Sequence, residues 1–211
     1  MPFHKTECQF TQVDVAFLLD SSGSIQSSGV HNYQIMKDFI KGIVKSFVIG
    51  PDDTKVAVAT FSSKSKFEIQ FDFTKYNTTA DIVDAIQNIP FYDGYTYTGD
   101  ALDRLRRYLF PLARADIPHI LIVLTDGRAR DKVEDPAEHL RDMGVHIIAV
   151  GVGDADYKEL EDIASDPDDE NVFTTSFDSI VNLAGSILED VCKGEKCIYC
   201  QSFPKCLDHI R

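Results

Sequence analysis

Hydroxyl and carboxyl side chains are concentrated in three short segments of this chain. The segments are Asp20-Ser21-Ser22-Gly23-Ser24, Asp93-Gly94-Tyr95-Thr96-Tyr97-Thr98-Gly99 and Thr125-Asp126-Gly127. Five of their side chains are candidate metal ligands: the carboxylates of Asp20 and Asp126 and the hydroxyls of Ser22, Ser24 and Thr96. All are hard oxygen ligands, which favour Mg²⁺, Mn²⁺ or Ca²⁺ over zinc or copper. Two carboxylates neutralise a divalent ion, so the ion could accept one more acidic group from a partner.

Each segment also has a simpler explanation. Asp and Ser are favoured at helix N-caps, so the first segment alone could begin a helix. Thr96 and Thr98 could cap another helix, and Asp126 could belong to an ordinary turn. What favours one shared site is the order of the three segments and their predicted position at strand ends or in nearby loops.

The elements that must position these side chains alternate between strands and helices. Apolar runs predict buried strands over residues 13–19, 55–61, 120–124 and 145–150, with further strands over 67–71 and 171–174. Apolar spacings of three and four predict helices over residues 35–47, 79–89, 101–112, 134–143, 157–164 and 180–191. The strands at 55–61 and 67–71 are joined by only five residues, so they must form an antiparallel hairpin.

This alternation predicts a doubly wound α/β fold. We expect a mostly parallel six-stranded sheet with one antiparallel edge strand and helices on both faces. The crossovers place strand 13–19 beside strand 120–124, so the loops at Asp20 and Asp126 should meet at the carboxyl edge of the sheet. The predicted domain covers residues 8–192, and residues 193–211 form a cysteine-rich tail with too few apolar residues for a core of its own.

With these motifs, the chain resembles the von Willebrand factor A domains of integrins, matrilins and several collagens. The segments that carry the resemblance are Asp20-Ser21-Ser22-Gly23-Ser24, Ile49-Gly50-Pro51, Val56-Ala57-Val58-Ala59-Thr60-Phe61, Gly94-Tyr95-Thr96-Tyr97-Thr98-Gly99-Asp100-Ala101-Leu102 and Leu124-Thr125-Asp126-Gly127. The resemblance implies a metal-ion-dependent adhesion site. Ser22, Ser24 and Thr96 would be near ligands, and Asp20 and Asp126 would often act through water. Thr98 would support the loop rather than bind the ion.

The rim of the implied site departs from the family pattern. The family often has two glycines before the threonine, whereas here Asp93 precedes Gly94 and adds negative charge. Arg128 and Arg130 could offset that charge and meet an acidic partner, although exposed arginines are usually just solvated. Tyr95 and Tyr97 could supply apolar contact area, or one could be packed and the other exposed.

The cysteines and one sequon indicate an oxidising, extracellular environment. Cys8 and Cys192 bracket the predicted domain, which favours a disulfide between its two ends. Cys197, Cys200 and Cys206 crowd the tail and could link the chain to a neighbour. The alternative is a zinc cluster in the tail, but its spacings match no familiar zinc pattern. Asn77-Thr78-Thr79 is an N-glycosylation sequon, and no signal peptide is visible at the start of the sequence.

Charge and motifs exclude several other functions. The net charge of −13 makes nucleic acid an unfavourable partner, and no run of eighteen apolar residues predicts a membrane span. An enzyme with Ser22 as nucleophile is not expected, because no Gly-x-Ser-x-Gly elbow, dinucleotide fingerprint or phosphate loop is present. The histidines are scattered at His4, His31, His119, His139, His146 and His209.

The sequence therefore predicts a secreted matrix or adhesion module. It would hold Mg²⁺, or Mn²⁺ or Ca²⁺, and bind an acidic side chain of collagen or another matrix protein. The alternative is a structural matrix domain that assembles through tail disulfides, with the metal only stiffening its loops. The resemblance also implies a last helix that can slide when the ion gains a ligand. A bridge from Cys8 to Cys192 would restrain that movement and leave one affinity state.

Overall fold

A computed structural model of the chain describes residues 12–192, with side chains as far as residue 188. Cys8, the side chain of Cys192 and the tail cysteines lie outside these residues. The predicted Cys8–Cys192 disulfide, the boundaries of the domain and the tail zinc cluster are therefore still predictions. Within the described part of the chain, no helix is long and apolar enough to cross a membrane.

Within residues 12–192, six strands form one sheet, in the spatial order β3-β2-β1-β4-β5-β6. The strands are β1 (Asp14–Asp20), β2 (Lys55–Phe61), β3 (Phe67–Phe71), β4 (His119–Thr125), β5 (Val145–Val152) and β6 (Val172–Thr175). Of these six strands, only the edge strand β3 is antiparallel to its neighbour; the other pairings of the described chain are parallel. The predicted doubly wound sheet with one antiparallel edge strand is confirmed, and each strand lies within two residues of its predicted bounds.

Eight α-helices connect and cover the strands of the described chain. They are α1 (Gly23–Ser27), α2 (Asn32–Val44), α3 (Thr79–Gln87), α4 (Thr98–Arg104), α5 (Glu134–Asp142), α6 (Tyr157–Ile163), α7 (Asp168–Asn171) and α8 (Ile180–Cys192). After α4, residues 105–109 form a π-helical turn and residues 110–112 a 3₁₀ turn.

The helices divide between the two faces of the sheet. Successive residues of β1 point to opposite sides, so Phe17 packs with α2, α3 and α8, whereas Leu18 packs with α4, α5 and α6. Both side chains are fully buried. A strand that is apolar on both faces needs a layer of helices on each side, and this explains the continuous apolar runs in the sequence.

Two helical features differ from those predicted. Apolar spacings predicted no helix within residues 20–29, but α1 forms there, because a five-residue helix with a single buried side chain, Ile25, leaves almost no apolar pattern. Residues 101–112 were predicted as one regular helix. The π turn adds residues per turn and rotates the apolar face, so Tyr108 and Leu112 are exposed.

At the amino edge of the sheet, a buried ion pair joins β1 to the segment before β4. Asp14 is fully buried, and its carboxylate accepts hydrogen bonds from the backbone N–H and the guanidinium of Arg114. The same guanidinium donates to the backbone oxygens of Val13 and Asp53. These bonds tie three chain segments together far from the opposite, carboxyl edge.

The strand order reverses between β1 and β4, which pair in parallel register from Asp14 opposite His119 to Leu19 opposite Leu124. The chain therefore leaves the sheet at Asp20 and at Thr125 side by side. In open α/β sheets this reversal is where ligands bind. The predicted adjacency of the two loops is confirmed.

Candidate metal centre

The first and third oxygen-rich segments are in direct contact at the carboxyl edge. Ser24 donates a hydrogen bond from its hydroxyl to Oδ1 of Asp126 at 2.7 Å, and the hydroxyl oxygens of Ser22 and Ser24 are 3.0 Å apart. Since Ser24 gives its only hydroxyl proton to Asp126, Ser22 is the donor in the second bond. Three of the five predicted ligands therefore form one continuous chain of oxygens.

Asp20 lies behind this chain, fully buried at the end of β1. Its Oδ1 accepts from the backbone N–H of Ser22 at 2.8 Å, and its Oδ2 accepts from the hydroxyl of Thr125 at 2.7 Å. Both oxygens are thus held by the two loops that follow β1 and β4.

Thr96 belongs to the second segment and approaches the same place. It is buried, at 7% exposure. A Cβ built on Gly127 would stand 3.2 Å from Oγ1 of Thr96 and 3.6 Å from Oγ of Ser24. The hydroxyls of the second and first segments therefore both approach the backbone of the third.

None of these hydroxyls is used to cap its own helix. Ser22 is the N-cap of α1 but makes no side-chain capping bond, and α4, which begins at Thr98, has no side-chain cap either. The hydroxyl of Thr98 is buried and has no hydrogen-bond partner within the described chain. The capping alternative raised by the sequence therefore fails for Ser22, whose hydroxyl bonds to Ser24 instead.

Burial disfavours the ionised forms of the Asp20 and Asp126 carboxyl groups. Burial raises the pKa of Asp20 to about 7, against hydrogen bonds from Thr125 and Ser22 that lower it, and the nearby Asp126 raises it further. Burial also raises the pKa of Asp126, and the hydrogen bond from Ser24 opposes this rise. Two carboxyl groups with little solvent favour a bound cation, which would offset their charges.

The donor set fits a hard divalent ion. Within residues 12–192, no group of three or more His, Cys, Asp and Glu side chains could hold a metal. An ion here would therefore depend on the hydroxyls as well as the two carboxylates. Such a site has fewer charges than an all-carboxylate site and leaves coordination positions for water or a partner's acid.

Backbone hydrogen bonds join the three loops to one another. The N–H of Gly23 donates to the oxygen of Gly94 at 3.0 Å, and the N–H of Arg130 donates to the oxygen of Thr96 at 2.8 Å. The N–H of Tyr97 donates to the oxygen of Ser62 in the β2–β3 turn at 3.0 Å. These bonds fix the loop that carries Thr96.

Asp93 adopts the left-handed conformation that the first of the family's two glycines would adopt easily. Its φ is +58°, a value that Asp and Asn tolerate better than other residues. Its Oδ1 accepts from the N–H of Gly94 at 2.6 Å and would clash with a Cβ on Gly23, at 2.5 Å. The side chain is exposed at the rim, as the sequence suggested.

The other rim residues form two pairs of a cation with an aromatic ring. The guanidinium carbon of Arg130 lies 4.2 Å from the ring centroid of Tyr95, which is 55% exposed. The amine of Lys64 lies 5.2 Å from the ring centroid of Tyr97, which is half-buried. Arg128 is exposed and forms an ion pair of 3.3 Å with Asp156.

Several supporting residues could not be recognised from the sequence. Asp131 accepts from the N–H groups of Gly99 and Asp100 at 3.0 and 2.8 Å, which fastens the start of α4. Glu159 accepts from the N–H of Ala129 at 2.8 Å with one oxygen and at 3.0 Å with the other. Thr125, by contrast, belongs to the third oxygen-rich segment, and its place at a strand end was a usable signal.

Asn77 lies far from this centre along the sheet. Its side chain is exposed, and its Oδ1 accepts a hydrogen bond from Lys55. The amide nitrogen, which would carry a glycan, is not the atom used in that bond. Thr79 of the sequon is the first residue of α3.

Comparison with known proteins identifies the family of this architecture. The model of the von Willebrand factor type A domain matches residues 14–185. The collagen alpha-4(VI) chain of Mus musculus is 40% identical over 186 residues, which cover 88% of this chain and 8% of that protein. Human cochlin is 32% identical over 186 residues, which cover 87% of this chain and 33% of that protein. This chain thus spans a third or less of the length of these relatives.

A solved structure of similar shape is that of proximal thread matrix protein 1 from the mussel byssus, with a zinc-occupied metal-ion-dependent adhesion site. It is 38% identical, has a TM-score of 0.80, and the match covers 87% of this chain and 46% of that one. The collagen and cochlin relatives are secreted extracellular matrix proteins, which confirms the extracellular matrix location predicted from the sequence.

Proposed function

Because this chain belongs to the von Willebrand factor type A domain family, we propose that it binds a protein ligand of the extracellular matrix through a divalent cation. The cation would be held by Ser22, Ser24 and Thr96, with Asp20 and Asp126 as charged ligands, directly or through water. The ligand would be collagen or another matrix protein that presents an acidic side chain. The function proposed is adhesion, without catalysis.

The observation that carries this proposal is the hydrogen-bonded link from Ser22 through Ser24 to Asp126. It joins residues from two loops that are 102 positions apart in the sequence. The oxygens of this link lie within hydrogen-bonding distance of one another. The Ser22 hydroxyl makes no capping bond to α1. Local structure alone does not require such an arrangement, and a bound ion would use all three side chains.

When bound, the ion supplies a positive charge with exchangeable positions for oxygen ligands. The chain's residues would hold it, orient it toward solvent and leave it close to neutral, since two carboxylates match its charge. We propose Mg²⁺, or Mn²⁺ or Ca²⁺, as the resident ion because all the donors are hard oxygens. The zinc in the mussel protein makes Zn²⁺ a necessary comparison.

The test is solid-phase binding to collagen and a small panel of matrix proteins. Binding is measured in Mg²⁺, Mn²⁺, Ca²⁺ and Zn²⁺ and again with chelator, for the wild type, Ser24→Ala and Ser186→Ala. Ser186 is an exposed serine of α8, remote from the centre, so it is a matched control.

We expect binding that chelator abolishes, that Ser24→Ala weakens about tenfold or more, and that Ser186→Ala leaves unchanged. Binding that persists in chelator, or an undiminished Ser24→Ala variant, would contradict the proposal. The chelator-insensitive result would favour a structural domain in which the metal does not contact the ligand.

A further inference from the structure

Arg130 lies directly beside the candidate metal centre. Its backbone N–H donates to the oxygen of Thr96, so its position is fixed relative to a proposed metal ligand. Its guanidinium packs over the ring of Tyr95, at 4.2 Å from the centroid, and the side chain is exposed. A guanidinium stacked on a ring uses its face and keeps its in-plane N–H donors available.

Arg130 differs from the other arginines of the described chain. Arg104, Arg106, Arg107, Arg114 and Arg128 form ion pairs with carboxylates, and Arg141 donates to three backbone oxygens. Among the seven arginines of residues 12–192, only Arg130 has no carboxylate or carbonyl partner for its side chain. The chain has 34 acidic and 21 basic residues, so an arginine without a carboxylate partner is unexpected.

Other cations surround the same loop. Lys64 lies over the ring of Tyr97, and Lys66 donates to the backbone oxygens of Tyr92 and Asp93. Three cationic side chains, Arg130, Lys64 and Lys66, therefore lie at the loop that carries Thr96, where the exposed carboxylate of Asp93 also lies. Exposed cations of this kind attract an acidic group of a partner.

We propose that Arg130 binds a second acidic group of the same protein ligand whose first acidic group meets the ion. This rests on the proposed function and adds to it the chemistry of the partner: a segment with two acidic side chains a few residues apart. The Tyr95 ring holds the guanidinium in place before the ligand arrives. The Arg130 side chain then loses less conformational freedom on binding, so its pairing with a carboxylate contributes more to the affinity.

A sulfated polysaccharide is a different class of partner for the same cations. The observations favour a protein segment, because the net charge of −13 repels an extended polyanion and, among the arginines of residues 12–192, only Arg130 lies at the rim without a carboxylate partner. A single guanidinium matches one carboxylate in a two-pronged hydrogen-bonding geometry.

The test uses the full 211-residue chain and synthetic peptides on a biosensor surface. One peptide carries a single glutamate among neutral residues. The others carry a second glutamate one, two or three positions further along, and heparin is immobilised in parallel. The variants are Arg130→Gln, Tyr95→Phe and Lys45→Gln, each measured in Mn²⁺ and in chelator. Lys45 is exposed at the carboxyl end of α2. Lys45→Gln removes one positive charge, as Arg130→Gln does, and therefore controls for the change in net charge.

For the wild type, we expect a second glutamate to tighten chelator-sensitive binding by about threefold to tenfold in at least one spacing. Arg130→Gln should lose this gain but keep its Mn²⁺ affinity and its binding of the single-glutamate peptide. Tyr95→Phe, which retains the ring, and Lys45→Gln should behave as wild type.

The inference is overturned if Arg130→Gln keeps the gain, if Lys45→Gln loses it equally, or if Arg130→Gln weakens Mn²⁺ binding itself. Capture by heparin that persists in chelator and depends on Arg130 would also overturn it, in favour of a polysaccharide. Absence of chelator-sensitive binding to every peptide would instead sink the proposed function, so the two failures are distinguishable.

Discussion

Thr125 donates a 2.7 Å hydrogen bond to Oδ2 of Asp20, and this bond joins the last residue of β4 to the last residue of β1. Asp20 is fully buried, so this bond and the one from the backbone N–H of Ser22 decide which way its carboxylate faces. Loss of a group that orients a metal ligand from behind typically lowers metal affinity by about tenfold to a hundredfold.

Thr125→Val should therefore weaken Mn²⁺ binding about tenfold or more, as measured by calorimetric titration. The valine preserves the shape of the side chain but removes the hydroxyl that orients Asp20. Thr125→Ser keeps the hydroxyl and should bind nearly as wild type. Equal affinities for the valine and serine variants would show that Asp20 needs no such support.

Gly99 is required by the close approach of another segment to α4. A Cβ at this position would stand 1.9 Å from the backbone oxygen of Lys132. We expect Gly99→Ala to lower the free energy of unfolding by about 1–3 kcal/mol, because the Lys132 backbone must move.

The matched control is Gly42→Ala, since Gly42 lies in α2 with no atom near its added Cβ. This change should raise the free energy of unfolding by about 0.5–1 kcal/mol through helix propensity. Urea denaturation measures both variants. A Gly99→Ala protein as stable as wild type would disprove the steric argument.

The buried pair at the opposite edge should dominate the stability contributed by ion pairs. Arg114→Ala leaves the fully buried Asp14 carboxylate without its charged partner, and we expect a loss of about 3 kcal/mol. Arg107→Ala removes a more exposed pair with Asp103 and should cost under about 1 kcal/mol. Denaturant unfolding distinguishes them, and similar losses for both would refute the assignment.

Glu159 should make stability depend on pH. Burial raises the pKa of this carboxyl from 4.5 to about 7, against the opposing hydrogen bond from Ala129. The folded state therefore keeps its proton to higher pH than the unfolded state does. Stability from this group is fully present below the unfolded pKa of 4.5 and is lost as pH rises to about 7.

The variant Glu159→Gln has no titrating carboxyl at this position, so it should not lose this stability as the pH rises. The variant should gain stability relative to wild type between about pH 5 and about pH 8, by about 1 kcal/mol once the partial exposure of the carboxyl is allowed for. Urea unfolding at both pH values measures it, with Glu138→Gln as control for loss of an exposed charge on α5. A constant difference between Glu159→Gln and wild type across this range would exclude the role.

Asn77 should carry an N-linked glycan when the chain is secreted from animal cells. Its exposed side chain and the sequon Asn77-Thr78-Thr79 make it accessible to the transferase. Thr79→Ala should abolish the mass lost on treatment with peptide N-glycosidase, and Thr79→Ser should preserve it. A wild-type protein of unmodified mass would contradict the prediction.

The fold was predictable because its signal is continuous along the chain. Apolar runs such as 120–124 and helix-like spacings report burial directly, and strand connection rules then placed β1 beside β4. The three oxygen-rich segments were found because their residue types are concentrated and their order is distinctive.

What the sequence missed has no local pattern. Asp131 and Glu159 support backbone groups about 30 residues away, and nothing in their surroundings distinguishes them from other surface carboxyls. The helix α1 and the π turn at residues 105–109 also escaped, since each is only about one turn long. The partnerless state of Arg130 depends on where every other carboxylate lies, which only the folded chain reveals.

The loop between Gly94 and Gly99 is fastened to its neighbours at Gly23, Ser62 and Arg130 through main-chain atoms. Side chains at positions 95, 97 and 130 can therefore change without loosening the support beneath Thr96. A lineage of such domains could exchange one partner for another by replacing a few surface residues while the ion-holding frame persists. Recognition and scaffold would then evolve as nearly separate traits.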